Sequence, residues 1–383
     1  MEAVLTKVTI PTVDFKDVVS RAVKGSTFIP AIPLSCLMEL EVKDGVLYAR
    51  TTNNVNFLTT KIDLLSKYGA NNEDLSLQNF KIVLDCKLLS TIVSKLDSKV
   101  VTLTIEGTNV LLQSNKGEFH MPIQTDASGE ALDFPTQTFT PNGSSCHINS
   151  NEVRIILTQN KSCKAVDKQM PCLFNYYFGP ENVVTSDRRK TSVSNIKVSD
   201  RPILVSPAIV DLVPVVCSEE YGVDICQDDE FIMFSSPVGE VVGKKESALD
   251  LQAYPVEGIL NYFHSITFPS VQFNRTMLLQ ALERCSVFSD EVTKNCLNLS
   301  FEATNVHINA ISTSYAAEES VNYIKDTLTG NLTEPVDVVV DGDYVKSIIS
   351  ACNTETLQIH FDTDAGLFIE TPSASFQCAG VEI

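Results

Sequence analysis

The stretch KIVLDCKLLSTIVSKLDSKVVTLTIEGTNVLLQS, residues 81–114, sets out a local order of structure that the chain repeats twice more. Its counterparts are PILVSPAIVDLVPVVCSEEYGVDICQDDEFIMFSS (202–236) and VDVVVDGDYVKSIISACNTETLQIHFDTDAGLFIET (336–371). Each opens with a short run rich in β-branched residues, Ile82-Val83-Leu84, Ile203-Leu204-Val205 or Val338-Val339-Val340. A small, polar or proline position follows, then apolar residues at helical spacing. Two alternating segments around a polar turn (EGTN, QDDE or DTDAG) close each copy. Few residues are identical between copies. What recurs is the order strand, helix, strand, turn, strand.

The first half of each unit lies upstream. VLTKVTI reads as a strand, and DFKDVVSRAVKGS after it carries Phe15, Val18, Val19, Ala22 and Val23 on one helical face. Alternating segments then follow, joined at Lys43-Asp44-Gly45, a good hairpin turn. NEVRIILTQNK and NRTMLLQALERCS are the corresponding helices of units two and three. FPTQTFTPNGSS (134–145) and HSITFPS (264–270) separate the units. The expected organisation is α+β, with three tandem domains over 1–138, 139–266 and 267–383. In each, two helices pack on antiparallel sheet.

Composition excludes several classes. At 44% hydrophobic and 20% charged residues the chain is of the soluble globular type. A formal net charge of −19 argues against anionic membranes and, taken alone, against wrapping a polyanion. Eleven cysteines without a CxxC pair, and five scattered histidines, read as buried thiols in a reduced, cytosolic protein. The N-terminus lacks the pattern of a signal peptide, and no run approaches the ~20 apolar residues that span a bilayer.

The charge is segregated by element. Six helix windows (15–24, 86–96, 150–161, 207–216, 275–286 and 343–352) hold ten basic and five acidic residues, which leaves the rest of the chain at −24. Lys and Arg are good helix formers, so a solvated face explains any single helix. Across six helices the bias points to a shared surface facing a polyanion. Window 207–216 departs from it, with no basic residue and Pro214 inside.

A catalytic site needs converging acid, base, nucleophile or metal groups, and none converges here. GxSxG, HExxH, phosphate-loop and GxGxxG patterns are absent. Asp228-Asp229-Glu230 falls at a hairpin turn and reads as solvated; Glu318-Glu319 reads as an exposed pair. Asp187-Arg188-Arg189-Lys190 is a basic loop in unit two, either a solvated turn or a binding element. No metal, cofactor or enzymatic activity is expected.

Three such units in series, with weakly basic helices in an acidic chain, resemble the bacterial β sliding clamp, the processivity factor of the replicative DNA polymerase. IPAIPLSCLMELEVKDGVLYARTTN (29–53), GEALDFP (129–135) and LERCSVFSDE (282–291) are similar to family segments in the same order and spacing. The resemblance implies a head-to-tail homodimer of six domains, closed into a pseudo-sixfold ring around duplex DNA without base readout. It also accommodates the acidity, because a ring held by topology needs only a mildly positive lining. A clamp-loader ATPase and the replicative polymerase are the implied partners.

Lining candidates on or near the helices are Lys16, Arg21, Lys24, Lys95, Arg154, Lys161, Lys168, Arg275, Arg284 and Lys346. For the dimer interface the resemblance implies Phe119 and Met121 of one copy against Val287 and Phe288 of the other. For the groove that takes a short apolar partner peptide it implies Leu173, Ser186, Asp187, Arg188, Arg189, Lys190, Thr191, Pro255, Ile259 and Leu260. The terminal Ala379, Gly380, Val381, Glu382 and Ile383 complete that set. Here the family's Thr-Asp-Gly-His-Arg-Leu is Ser-Asp-Arg-Arg-Lys-Thr, and its Met-Pro-Met-Arg-Leu ending is Ala-Gly-Val-Glu-Ile. Such rewiring implies a different peptide, one with acidic residues, and suits a phage or mobile-element clamp serving its own polymerase. The alternatives are a clamp-like interaction protein that sequesters replication partners without encircling DNA, and an enzyme on a triplicated scaffold.

Overall fold

The computed structural model describes residues 6–69, 77–115, 117–130, 132–167, 170–293, 295–330 and 332–382. The first repeat runs β1 (Thr6–Pro11), α1 (Thr12–Ala22), β2 (Leu37–Lys43), β3 (Val46–Thr52), β4 (Asn56–Asp63) and β5 (Phe80–Asp85). It continues through α2 (Cys86–Ser94), β6 (Val100–Glu106), β7 (Asn109–Ser114) and β8 (Gly117–Pro122). The second runs β9 (Cys146–Ile148), α3 (Ser150–Ile155), β10 (Tyr176–Phe178), β11 (Val183–Ser186), β12 (Lys190–Ser194) and β13 (Ile203–Val205). Two single helical turns, Pro207–Val210 and Val213–Val216, then lead to β14 (Val223–Gln227), β15 (Phe231–Ser236) and β16 (Gly239–Lys244). After a connecting helix α4 (Val256–His264), the third runs β17 (Ser270–Asn274), α5 (Arg275–Ser286), β18 (Cys296–Phe301), β19 (Asn305–Ala310) and β20 (Glu318–Asn322). It ends with β21 (Val336–Asp341), α6 (Gly342–Ala351), β22 (Thr356–Asp362), β23 (Gly366–Glu370) and β24 (Ala374–Cys378).

The β-branched runs that repeat in the sequence are β5, β13 and β21. In the outer copies the residue ending the run caps the helix that follows. Asp85 accepts from the Leu88 N–H at 2.7 Å, and Asp341 from the Tyr344 N–H at 3.1 Å. These carboxylates satisfy donors that a helix start leaves open. The second copy has Pro207 and Pro214 instead, and its helix breaks into two turns. The first helix of that repeat also differs: a π turn, Ile156–Asn160, continues α3 into Lys161–Cys163.

Among the described residues the strands form four antiparallel sheets. Two have eight strands, in the orders β5-β2-β3-β4-β16-β15-β14-β9 and β13-β10-β11-β12-β24-β23-β22-β17. Two have four, β1-β6-β7-β8 and β20-β19-β18-β21. Each long sheet joins strands of neighbouring repeats, so compactness does not follow the repeat boundaries. One compact unit is Met1–Val153 with Ala208–Lys245, the other Arg154–Pro207 with Glu246–Ile383.

In the first unit Phe15, Val18, Val19 and Ala22 of α1 are buried with Leu89 and Val93 of α2 over the sheet residues Leu40, Ala49 and Leu103. Lys43-Asp44-Gly45 is the expected hairpin: Asp44 and Gly45 both have positive φ, and a Cβ on Gly45 would strike Leu65. Phe134, in the segment read as a linker, is buried, so that segment is docked rather than free. In the second unit α5 and α6 cover a core containing Phe273, Phe301, Phe361 and Phe376. Phe301 and Phe361 stack with ring centroids 3.9 Å apart.

One buried charge steadies the first unit. Glu39 is fully buried and takes Arg50 Nη1 at 2.5 Å and Lys81 Nζ at 2.9 Å, while Arg50 also reaches Glu41 at 2.6 Å. Replacing Arg50 with Met leaves Glu39 with one cation and is expected to cost about 2 kcal/mol. Urea unfolding followed by circular dichroism measures it; an unchanged midpoint means Lys81 alone suffices.

Candidate functional site

The lining candidates fall into two groups. Lys16, Lys24, Lys95 and Arg154 have no side-chain partner among the described residues, and Lys16 borders a trough between α1 and α2 lined by Val13, Val19, Ser20, Val23, Ser90 and Ser94. The others are committed. Arg21 pairs with Asp17 at 2.8 Å and donates to the carbonyls of Val238 (2.9 Å) and Val215 (3.4 Å). Arg275 donates to Thr354 O at 3.0 Å, Lys346 pairs with Asp343 at 2.9 Å, and Arg284 forks Glu319 at 2.5 and 2.7 Å. Lys161 is also partnered, and Lys168 lies outside the described residues. Glu319, read as an exposed acid, is therefore half-buried and paired, and its carboxyl is held low by the Arg284 hydrogen bonds.

The candidate groove residues meet around α4. Leu173 is buried with Tyr177, Val184, Val193, Leu204 and Tyr254, and the half-buried Val256, Ile259, Leu260 and Phe263 pack against them. Tyr254 stacks on Tyr177 at 5.5 Å and donates its hydroxyl to Val184 O at 3.1 Å. Pro255 is exposed ahead of α4. The tyrosines and valines escaped the sequence reading because strand alternation alone does not mark which face packs against α4.

The hairpin between β11 and β12 adds charge. Ser186 and Thr191 share a buried hydroxyl contact at 2.8 Å. Asp187 accepts from the N–H groups of Arg189 (2.9 Å) and Lys190 (2.8 Å), closing a tight turn. Lys190 Nζ sits 4.8 Å over the Tyr344 ring. Arg188 stands at φ +77°, a region that favours glycine, and its exposed guanidinium has no partner among the described residues. The tail is tied down beside it: the Ala379 N–H donates to Arg189 O at 2.7 Å, Gly380 bridges Val340, and the Val381 N–H donates to Val339 O at 2.9 Å. Glu382 is exposed, and Ile383 lies outside the described residues.

The interface candidates divide. Phe119 is 37% exposed on β8, and Val287 and Phe288 are 77% and 42% exposed just past α5. Met121 is corrected: only 2% exposed, it sits opposite Val110 in the first-repeat core and is not a surface anchor. Val292 and Tyr315, not foreseen, are also exposed apolar residues of this region. Asp290 fixes the loop, accepting from Thr293 N–H (2.9 Å), Thr313 N–H (3.0 Å) and Ser312 Oγ (2.9 Å). The backbone N–H of Thr313, then that of Thr293, holds its carboxyl well below the usual carboxylate range. That contribution is complete above the ordinary carboxylate pKa and is lost only as pH falls through the depressed value.

No three His, Cys, Asp or Glu residues among the described residues are placed to hold a metal ion. None of the eleven cysteines is in a disulfide, and burial pushes the thiols of Cys86, Cys163 and Cys352 up to about 12, away from nucleophilic thiolate. Asp228 accepts from the N–H groups of Glu230 and Phe231, an ordinary turn. No described helix is long and apolar enough to cross a membrane.

No protein-family model matches the sequence, and no curated protein matches it. Solved structures do. The DNA polymerase β subunit of Streptococcus pyogenes superposes with a TM-score of 0.83 at 16% identity, over 99% of this chain and 100% of that one. This chain has the fold of the bacterial sliding clamps. The clamp of Bacillus subtilis gives 0.81 at 16% identity over 98% and 99% of the two chains. The DNA polymerase III β subunit of Thermotoga maritima gives 0.78 at 16% over 99% and 100%. The clamp fold is thus kept along the whole length with few residues in common.

Proposed function

We propose that the chain is a non-enzymatic DNA sliding clamp. Two copies close into a ring around duplex DNA and tether a replicative polymerase, after loading by an ATPase, in the cytosol. Its three repeats act as domains 1–138, 139–266 and 267–383. One observation carries the reading: two sheets are complete at eight strands, and two are halves. In the complete sheets the joining strands are β4 with β16 and β12 with β24. Their equivalents in the half sheets, β20 and β8, are edges. A second copy supplies each missing half, head to tail.

Of the lining candidates, Lys16, Lys24, Lys95 and Arg154 have no side-chain partner among the described residues and are free to meet phosphate. So few contacts hold DNA weakly and let the ring slide. The groove around α4 takes a short apolar peptide, and Arg188 favours one carrying an acidic residue. The test is retention on nicked circular DNA after loading. A high-salt wash should leave the protein on the circle and linearisation should release it; equal loss from both forms removes the encircling reading. The net charge of −19 and the small number of free cations favour one alternative, a clamp-like protein that sequesters replication partners. In that case neither DNA form retains it.

A further inference from the structure

The repeats join by one rule, and the rule fixes the register of the joint that is still open. Thr60 on β4 lies opposite Gly239 on β16, and Ser194 on β12 opposite Ala374 on β24. Thr60 connects through Ala49 and Leu40 to Ile82; Ser194 through Val183 and Phe178 to Ile203. The same walk from Val338 passes Leu299 and Ile308 and ends at Glu319 on β20. On the other side Gly239 pairs with Ser236 across its hairpin, Ala374 with Thr371, and Gly117 with Ser114. Glu319 and Gly117 are therefore the equivalent positions on the two unjoined strands.

A side chain from the first helix of a repeat also spans each closed joint. Arg21 donates to Val238 O in the β15–β16 turn. Gln159, in the π turn after α3, accepts from Ser373 in the β23–β24 turn at 3.3 Å. The buried spacing Phe15, Val18, Val19, Ala22 recurs in α5 as Leu278, Ala281, Leu282, Cys285. That spacing places Arg284 where Arg21 stands. With no neighbour to reach, Arg284 folds onto Glu319 of its own repeat.

We propose that two copies join β8 to β20 antiparallel with Gly117 opposite Glu319 and Glu118 opposite Glu318, and that Arg284 leaves Glu319 to donate across the joint to the second copy. This rests on the two-copy ring proposed above and adds its register and its clasp. Glu319 competes for the clasp, and Glu118 faces a like charge, which disfavours the pairing. The joint between copies is accordingly weaker than the two within a chain, as a ring that must open requires.

Sedimentation equilibrium over a dilution series reads the dimer Kd of the full chain and its variants. R284Q should raise Kd about tenfold, whereas E319Q, which frees Arg284, should lower it. E318K should tighten the dimer about tenfold, and adding E118K should return it to the wild-type value or weaker. If R284Q and E319Q weaken association equally, Arg284 only braces Glu319 and the clasp is wrong. If the E318K gain survives E118K, the register is wrong. A wild-type chain that stays monomeric at every concentration removes the two-copy reading itself and this proposal with it. Thermal melts confirm that each variant is folded.

Discussion

Replacing Phe288 with aspartate should abolish association of two copies while leaving each chain folded. Phe288 and Val287 are exposed at the end of α5, and Asp290 pins the loop that follows. Covering the Phe288 ring in an interface is worth about 2 kcal/mol. Burying a carboxylate without a partner costs several kcal/mol more, on the order of 3. The sum corresponds to a loss of roughly three to four orders of magnitude in the dimer constant. A nanomolar dimer becomes monomer at micromolar working concentration. Light scattering over a dilution series reads the change, and the melting temperature of the chain should hold, because the ring is partly in solvent already. A variant that still scatters as a dimer means that two copies meet elsewhere. The same variant should be lost from nicked circular DNA, which links the joint to the encircling role.

The repeat was legible because its signals are local. β-branched runs, helical spacing and turn residues recur within about 35 residues in each copy, and the outer copies follow them closely. The second copy was harder. Pro214 warned of its broken helix, but nothing near Ile156–Asn160 announces a π turn. The sites were less legible, for a different reason. Arg21 looked like a lining cation until Val238, 217 residues away, proved to be its acceptor. Arg284 and Glu319 likewise lie 35 residues apart, and counting charge on a helix cannot reveal such partners. Met121 shows the same limit in apolar form. It shares a strand face with Phe119, yet one is core and the other surface, and only packing decides which.

Reversing the charge at Arg188 should weaken an acidic partner peptide about a hundredfold and a neutral one little. The position is unusual on two counts. A non-glycine residue at φ +77° is strained by about 1 kcal/mol, and its guanidinium meets no acid of its own chain among the described residues. Strain kept at an exposed cation, on the hairpin whose Val184 and Val193 belong to the apolar cluster under α4, fits a contact made to something else. Trading an ion-paired hydrogen bond for repulsion amounts to about 2–3 kcal/mol at low salt. Anisotropy of a labelled apolar peptide, with one acidic residue or its amide counterpart, separates the two contributions. Wild type should prefer the acid, the preference should shrink as salt is raised, and R188E should invert it. R188G serves as the control for the backbone. It relieves the strain and raises the melting temperature, and it should lose the acid preference without reversing it. Should R188E lose acidic and neutral peptides alike, the guanidinium would be shaping the hairpin and not reading the peptide's charge.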